Sequence, residues 1–135
     1  MIAKRTHKNL TWIDLNRPTH SEVESLIAEY NLHPVVGESL LEPTLHPKVE
    51  EYKDMLYLVM HFPTMSNSRF GSDQQEIDFV IGKNFLITAH YDLTDPLHNF
   101  AKQFEVNTIV ESSTMGEHPG FLFYHLLKNL YQDMR

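Results

Sequence analysis

The segment from Met55 to Phe62 constrains the fold most, because it is short and apolar at both odd and even positions. A strand with one buried face alternates apolar and polar side chains, whereas a strand covered on both faces is almost continuously apolar. A membrane span would need about 20 such residues. Met55 to Phe62 therefore predicts a strand in a sheet that has helices on each side.

The residues before this strand predict two more kinds of element. Leu10 to Leu15 is typical of a strand, and we expect it to be the first one. Thr19 and Glu22 have the spacing of a capping box, followed by apolar residues at helical intervals. A short second helix is predicted after His33, with Pro34 at its first position.

The middle of the chain predicts two hairpins. In the first, Val49 to Tyr52 turns at Lys53 and Asp54 into the apolar strand. In the second, Glu76 to Ile81 turns at Gly82–Asn84 into Phe85 to His90. The polar stretch between the hairpins, Ser66 to Gln75, is expected to be a loop.

The last third predicts two helices and one strand. Asp95 and Pro96 open a helix, Val106 to Val110 is a candidate strand, and Glu111 to Gly116 a loop. Pro119 begins a final helix with an apolar stripe: Phe123, Leu126, Leu127, Leu130, Tyr131 and Met134. The stripe still runs at Arg135, so we expect this C-terminal helix to be truncated. The predicted fold is α/β: a three-layer α/β/α sandwich with a mixed sheet, forming one domain over 1–135.

Composition excludes several classes of function. The chain has no cysteine, which removes disulfides, thiolate metal sites and a cysteine nucleophile. Its formal net charge of −7 disfavours binding to nucleic acid. The first residues contain no apolar core of a signal peptide, and no stretch of this chain is long enough to cross a bilayer.

Catalysis and zinc binding are weakly supported. The chain has no nucleophile elbow, phosphate loop or His-Glu-x-x-His motif, so we predict that it is not an enzyme; a deep pocket with converging titratable groups would argue otherwise. Nine histidines invite a zinc site. However, His118 and His125 would lie about 10.5 Å apart along a helix, too far for one zinc ion. Trp12 is expected to pack in the core rather than to stack on a ligand.

Five segments, in order, resemble the cytoplasmic domain of the CorA family of magnesium transporters. They are Thr11–Leu15, His33–Glu38, Pro47–Tyr52 with the apolar strand after it, Glu76–Ile77 together with Gly82–Thr88 of the second hairpin, and Phe121–Asp133. The last of these is similar to the start of the family's long stalk helix. The resemblance covers nearly the whole chain.

The resemblance implies the function. Members of this family are homopentamers in the cell inner membrane, with an α/β/α domain on the cytoplasmic side. A stalk helix connects that domain to two membrane spans, and a Gly-Met-Asn motif selects hydrated Mg²⁺. This chain lacks that motif. It is therefore expected to be a regulatory domain of a Mg²⁺/Co²⁺ transporter that senses cytosolic Mg²⁺, gates the pore, reaches the membrane only through missing helices, and associates weakly in isolation.

The resemblance also implies a metal site. In the family, an acidic pair after the His-Pro segment faces the neighbouring protomer and helps to hold Mg²⁺. Here the pair is Glu38 and Ser39, so Glu38, aided by Glu42, is the predicted ligand set. Mg²⁺ takes oxygen ligands and keeps several waters, so the site would be weak. Glu38 and Glu42 could instead be solvated charges one helical turn apart. Co²⁺ and Zn²⁺ are alternative ions, and a zinc-transporting relative or a stand-alone interaction module are alternative functions.

Overall fold

The computed structural model describes residues 1–7, 9–44, 46–63, 74–91 and 119–132. These residues form six strands and three helices, in the following order along the chain: β1 (Ile2–His7), β2 (Leu10–Asn16), α1 (His20–Tyr30), α2 (Pro34–Ser39), β3 (Lys48–Tyr52), β4 (Met55–Pro63), β5 (Gln74–Ile81), β6 (Phe85–His90) and α3 (Pro119–Gln132). None of the helices in these ranges is long and apolar enough to traverse a bilayer.

The six strands form one mixed sheet in the order β1-β2-β6-β5-β4-β3. Neighbouring strands are antiparallel except β2 and β6, which pair in parallel from Thr11↔Phe85 to Asn16↔His90. Both predicted hairpins are present, with turns at 53–54 and 82–84. The prediction of a mixed sheet is therefore confirmed.

The sheet separates two hydrophobic cores, and each contains side chains of β4. On one face, Tyr57 and Val59 pack with residues of α1 and α2. On the other face, Leu58 and Met60 pack in a cluster that contains Leu122 and Leu126 of α3. Helices on both faces make the three-layer α/β/α arrangement, as the apolar strand predicted.

The local signals for α1 and α2 are also confirmed. The Thr19 hydroxyl accepts from the Glu22 backbone N–H, and the Glu22 carboxylate accepts from the Thr19 N–H, which completes the capping box. His33 is the N-cap of α2, where its Nδ1 accepts from the Val35 N–H at 3.2 Å, and Pro34 follows at the first helical position. Each cap satisfies a backbone donor that the first helical turn leaves free.

Two predictions of the N-terminal and central strands were wrong. Leu10–Asn16 is the second strand, because Ile2–His7 forms β1 at the sheet edge. This edge strand has few large apolar side chains, so its sequence carries little periodic signal. Gln74 and Gln75 belong to β5 rather than to the preceding loop. The predicted helix at Asp95, strand at 106–110 and loop at 111–116 lie outside the described residues.

Trp12 tests the packing of the core on the α3 side. Its side chain is fully buried, and its indole N–H donates to the Thr88 hydroxyl at 3.0 Å. We expect Trp12→Ala to lower the free energy of unfolding by about 3–5 kcal/mol, measured by urea denaturation followed by circular dichroism. Val35→Ala, at a side chain that is 49% exposed, should change it by no more than about 0.5 kcal/mol. Equal effects would contradict the assignment of Trp12 to the core.

Candidate functional site

Helix α2 and the residues after it carry the predicted metal ligands. The helix packs closely on α1 at Gly37, where a Cβ atom would lie 2.4 Å from Ile27 Cδ1. No other residue type could be accommodated there without movement of Ile27. This close approach fixes α2 against α1 and leaves Glu38 exposed.

The structure places Glu38 and Glu42 on the surface but not on one helix. Helix α2 ends at Ser39, so Glu42 lies beyond it, and the idea that the two acids stand one helical turn apart is wrong. Both side chains are exposed, and neither makes a hydrogen bond or ion pair within the described ranges. The Ser39 hydroxyl donates to the Val35 carbonyl at 2.8 Å. Metal binding by Glu38 and Glu42 stays a prediction.

A second group of polar side chains, which the sequence patterns did not predict, contacts the backbone of the residues that follow α2. It consists of Glu76 and Asp78 of β5, Tyr57 and His61 of β4, and Tyr91 after β6; we call it the buried acid cluster. Glu76 and Asp78 are two residues apart on one strand and therefore share a face. Val80, the next residue on that face, belongs to the core under α1 and α2. The cluster therefore lies on the α2 side of the sheet.

The buried acid cluster holds residues 40–44, which we call the acidic segment because it carries Glu42. Glu76 Oε1 accepts from the Thr44 N–H at 2.6 Å, and His61 Nε2 lies 3.1 Å from the Thr44 carbonyl oxygen. A carbonyl oxygen only accepts, so His61 Nε2 carries a proton in this contact. The Tyr91 hydroxyl is within donating distance of two further carbonyl oxygens, those of Leu40 at 2.9 Å and Glu42 at 3.1 Å.

The two carboxyl groups of the cluster are incompletely paired. Asp78 is fully buried, and its Oδ2 accepts from the Tyr57 hydroxyl at 2.9 Å. Asp78 Oδ1 and Glu76 Oε2 are both buried without a hydrogen-bond partner among the described residues. Burial is the largest cause that raises the pKa of Asp78, to about 9; the Glu76 carboxyl group adds to it, because it can accept a hydrogen bond from protonated Asp78 and repels the ionised form. Asp78 is therefore a neutral carboxylic acid at pH 7.

The two tyrosines of the cluster stay protonated over the same pH range. Burial is the largest cause that raises the pKa of Tyr57 and Tyr91 well above that of an exposed phenol, and the negative charge of ionised Asp78 adds to it. Their hydroxyl groups therefore remain hydrogen-bond donors. Around neutral pH, the hydroxyl groups of Tyr57 and Tyr91 are therefore constant hydrogen-bond donors in the cluster that contains the carboxyl pair of Glu76 and Asp78.

The sequence held one signal for this cluster. Asp78 interrupts the otherwise apolar run from Ile77 to Ile81, and a charged residue in a buried strand needs a partner. Its partners come from β4 and from the residue after β6, so only the strand order brings them together. The pattern of Glu76–Ile81 by itself predicted one half of a hairpin and no site.

A second network of hydrogen-bonded polar side chains lies on the opposite face of the sheet. The Thr88 hydroxyl donates to Asp14 Oδ1 at 2.6 Å, and His90 Nε2 lies 2.9 Å from Asp14 Oδ2. Within the described residues, no group of three or more histidine or acidic side chains is arranged to hold a metal ion, and the hydrogen-bonded side chains of Asp14, Thr88 and His90 do not form one either. His118 of the rejected zinc pair lies outside the described residues.

The family assignment is decided by comparison with known proteins. The family described as CorA-like Mg²⁺ transporter protein matches residues 7–135. The chain belongs to this family. Its members are transporters rather than enzymes. The match covers both hairpins, the acidic segment and α3, and it confirms the predicted membership of the CorA family.

Relatives of this CorA-family chain are longer than it is. The cobalt/magnesium transport protein CorA of Thermotoga maritima is 20% identical over 134 residues, which cover 98% of this chain and 37% of that protein. The chain therefore spans little more than a third of this relative's length.

Solved structures share the fold. The complete CorA magnesium transporter of Methanocaldococcus jannaschii is 23% identical, with a TM-score of 0.71 over 92% of this chain and 38% of that one. The ZntB cytoplasmic domain of Vibrio parahaemolyticus is 12% identical, with a TM-score of 0.66 over 93% and 51%. These similarities confirm the predicted fold of the CorA-family domain.

Replacement of Asp78 tests its protonation. Its pKa is raised on folding, so the unfolded chain binds fewer protons between about pH 4 and 9, and the contribution of Asp78 to stability falls as pH rises through that window. Asp78→Asn cannot ionise. We expect the free energy of unfolding of Asp78→Asn minus that of the unmodified chain to increase by about 1.4 kcal/mol per pH unit between pH 5 and 8.

The measurement is urea unfolding followed by fluorescence of Trp12, the one tryptophan in the sequence and a buried side chain. Glu51→Gln is the matched control, because Glu51 is an exposed acid on β3 of the same sheet. Its stability should follow the unmodified chain at every pH. Parallel curves for Asp78→Asn and the unmodified chain would show that Asp78 is ionised in the folded state.

Proposed function

We propose that this chain is the metal-sensing domain of a transporter that moves Mg²⁺ or Co²⁺ across the cell inner membrane. Family membership over residues 7–135 supports transport, and the name of the Thermotoga maritima relative supports these two ions. The shared fold with a domain named as cytoplasmic supports a position on the cytoplasmic side. In this proposal the conducting part belongs to the longer protein.

The observation that carries the sensing role is the exposure of Glu38 at the end of α2 with no partner within the described residues. The resemblance to CorA domains assigns this position to a surface that faces the next protomer. Mg²⁺ keeps most of its waters and needs only one or two carboxylates. Glu38 would supply the first, and Glu42 of the acidic segment would supply or support the second.

Weak sites of this kind become effective when several act on one transition. A site filled at ten times its dissociation constant shifts an equilibrium by about 1.4 kcal/mol. Moving a gate from 1:99 to 99:1 takes about 5.5 kcal/mol. Five equivalent sites that bind only the closed state of a homopentamer supply about 7 kcal/mol, which is sufficient. Pentameric assembly therefore converts a weak site into a switch.

The negative charge of the domain also favours a mechanism in which Mg²⁺ stabilises the closed assembly. Each chain carries a formal net charge of −7, so protomers brought together repel one another. Mg²⁺ bound between them reduces this repulsion and is coordinated by carboxylates at the interface. Mg²⁺ therefore closes the assembly in this mechanism, and its loss loosens it.

Glu38→Gln tests the ligand in the full-length transporter. Hydrogen exchange at the protomer interfaces should slow as Mg²⁺ is added to the unmodified protein. Loss of one carboxylate should raise the Mg²⁺ concentration at the midpoint by at least about tenfold in the variant. Glu24→Gln, at an exposed acid of α1, is the control and should leave the midpoint unchanged. An unmodified transporter whose interfaces do not respond to Mg²⁺ would refute the proposal.

Ser39→Asp tests the site in the opposite direction. It adds the second acid of the family's pair next to Glu38, and a higher ligand charge strengthens binding of a hard cation. We expect the Mg²⁺ midpoint of the same exchange experiment to fall by about tenfold. Ser25→Asp adds an equal charge at an exposed position of α1 and controls for general electrostatics. Equal shifts in both variants would mean that net charge rather than a site at Glu38 attracts the ion.

Zinc is the alternative ion, supported by the shared fold with the ZntB domain. Calorimetric titration of the 135-residue chain with Zn²⁺ and with Mg²⁺ separates the two. Zn²⁺ binding below micromolar concentration, lost on replacement of histidines, would favour a zinc transporter. Binding of neither ion tighter than millimolar agrees with a weak Mg²⁺ site completed by a neighbouring protomer.

A further inference from the structure

The buried acid cluster contains two carboxyl groups whose negative charges would not both be neutralised by ion pairs with the described residues. Two carboxyl groups lie side by side on β5, and the side chain of Glu76 is only 8% exposed while Asp78 is fully buried. Two ionised carboxylates in such a place repel each other and lose their hydration, so one of them must gain a proton or a cation. The two buried carboxyl oxygens without a partner among the described residues, Asp78 Oδ1 and Glu76 Oε2, point to a proton between them.

One proton accounts for both unpaired oxygens. Asp78 Oδ2 and Glu76 Oε1 are already occupied as acceptors, by Tyr57 and by the Thr44 N–H. The remaining atoms, Asp78 Oδ1 and Glu76 Oε2, are the two that lack partners among the described residues. A proton on Asp78 Oδ1 that is donated to Glu76 Oε2 satisfies both at once. Glu76 then keeps its negative charge, which suits its short bond to the Thr44 N–H.

We propose that the proton shared by Glu76 and Asp78 is a regulatory ligand of this domain, because it locks the acidic segment against the sheet. With the proton in place, Glu76 is held by Asp78 on one side and holds Thr44 on the other. When the proton leaves, two buried anions face each other, and Glu76 turns towards water. The Thr44 N–H then loses its acceptor, and the acidic segment separates from β5.

The groups that surround Glu76 and Asp78 set the pH at which the shared proton is lost. From β4, Tyr57 donates to Asp78, and His61 Nε2 lies 3.5 Å from Glu76 Oε1. From β3, the Lys48 ammonium lies 5.5 Å from the centre of the Tyr57 ring, and its positive charge favours ionised Asp78. Tyr91 stays neutral and keeps donating to the acidic segment. The carboxyl pair is therefore the group whose charge changes as the pH rises from 7 towards the pKa of Asp78, about 9.

The link to metal sensing rests on the proposed function. The acidic segment carries Glu42 and follows directly on α2, which ends next to Glu38. Release of the segment would move Glu42 relative to Glu38 and so change the affinity for Mg²⁺. Glu76 and Asp78 are positioning residues in this view, because they act on the ion through the backbone of the segment. Protons and Mg²⁺ would therefore be coupled ligands of one domain.

The first test is a pH titration of the 135-residue chain by nuclear magnetic resonance, with chelator present. Carbon-13 labelling of carboxyl groups follows Glu76 and Asp78, and the protection factor of the Thr44 amide follows the acidic segment. We expect one of the two carboxyl groups to titrate above about pH 7. Over the same range the Thr44 protection factor, corrected for intrinsic exchange, should fall at least about tenfold.

Two variants separate the shared proton from a general effect of pH. Asp78→Asn replaces the proton by an amide N–H that donates to Glu76 at every pH, so the Thr44 protection factor should change less than about twofold. In Glu76→Gln the new amide donates to Asp78 while its oxygen still accepts from Thr44. Asp78 should then titrate at least about two pH units lower. Glu51→Gln, at an exposed acid, should behave as the unmodified chain.

Two results would overturn the proposal: both carboxyl groups titrating below about pH 5, or a Thr44 protection factor that is independent of pH in the unmodified chain. Mg²⁺ titrations of the full-length transporter carrying Asp78→Asn test the link to sensing separately. A Mg²⁺ midpoint that loses its pH dependence supports the link. An unaltered pH dependence disproves the link, whereas failure of Glu38→Gln to alter the response disproves the proposed function and leaves the proton lock standing.

Discussion

The parallel pairing of β2 with β6 is the constraint on which the rest of the domain depends. Parallel neighbours cannot be joined by a tight turn, so the chain between them has to leave the sheet and return. Here the chain leaves the sheet after β2 through α1, α2 and the acidic segment, and it returns as β3, β4 and β5 before β6. The pairing therefore places α2 over the strands that carry Tyr57, Glu76 and Asp78, and brings an exposed acid and a buried pair of acids to the same face of the sheet.

Local signals in the sequence predicted the elements whose causes are local. The capping box at Thr19, the proline at the start of α2 and both hairpin turns are recognisable within a few residues, and all are present. Strand β1 was missed because an edge strand needs no continuous apolar pattern, and its main support is hydrogen bonding to β2. The parallel pair was also beyond local reasoning, since its strands are far apart in the chain and periodicity carries no information on strand order.

The sequence predicted Glu38 as a candidate site but did not predict the buried acid cluster. Glu38 was predicted as a metal ligand by resemblance, and that role stays a prediction; the structure shows that its side chain is exposed. The buried acid cluster depends on three strands and on Tyr91 after β6, so its geometry exists only in the folded chain. The one advance sign, a carboxylate within an apolar strand, showed that a partner was needed but not which residue would supply it.

The cluster is also informative because its backbone contacts depend on polar side chains. Buried polar groups of this kind can often be replaced by apolar side chains of similar volume with no loss of stability. An apolar side chain at position 76 could not hold the backbone of the acidic segment, because the Thr44 N–H needs a hydrogen-bond acceptor inside the protein. Glu76 therefore fixes the position of the acidic segment against the sheet. In the proposed mechanism, an exposed acid binds a metal ion and a buried acid binds a proton. The acidic segment lies between these two sites, so its position would couple them.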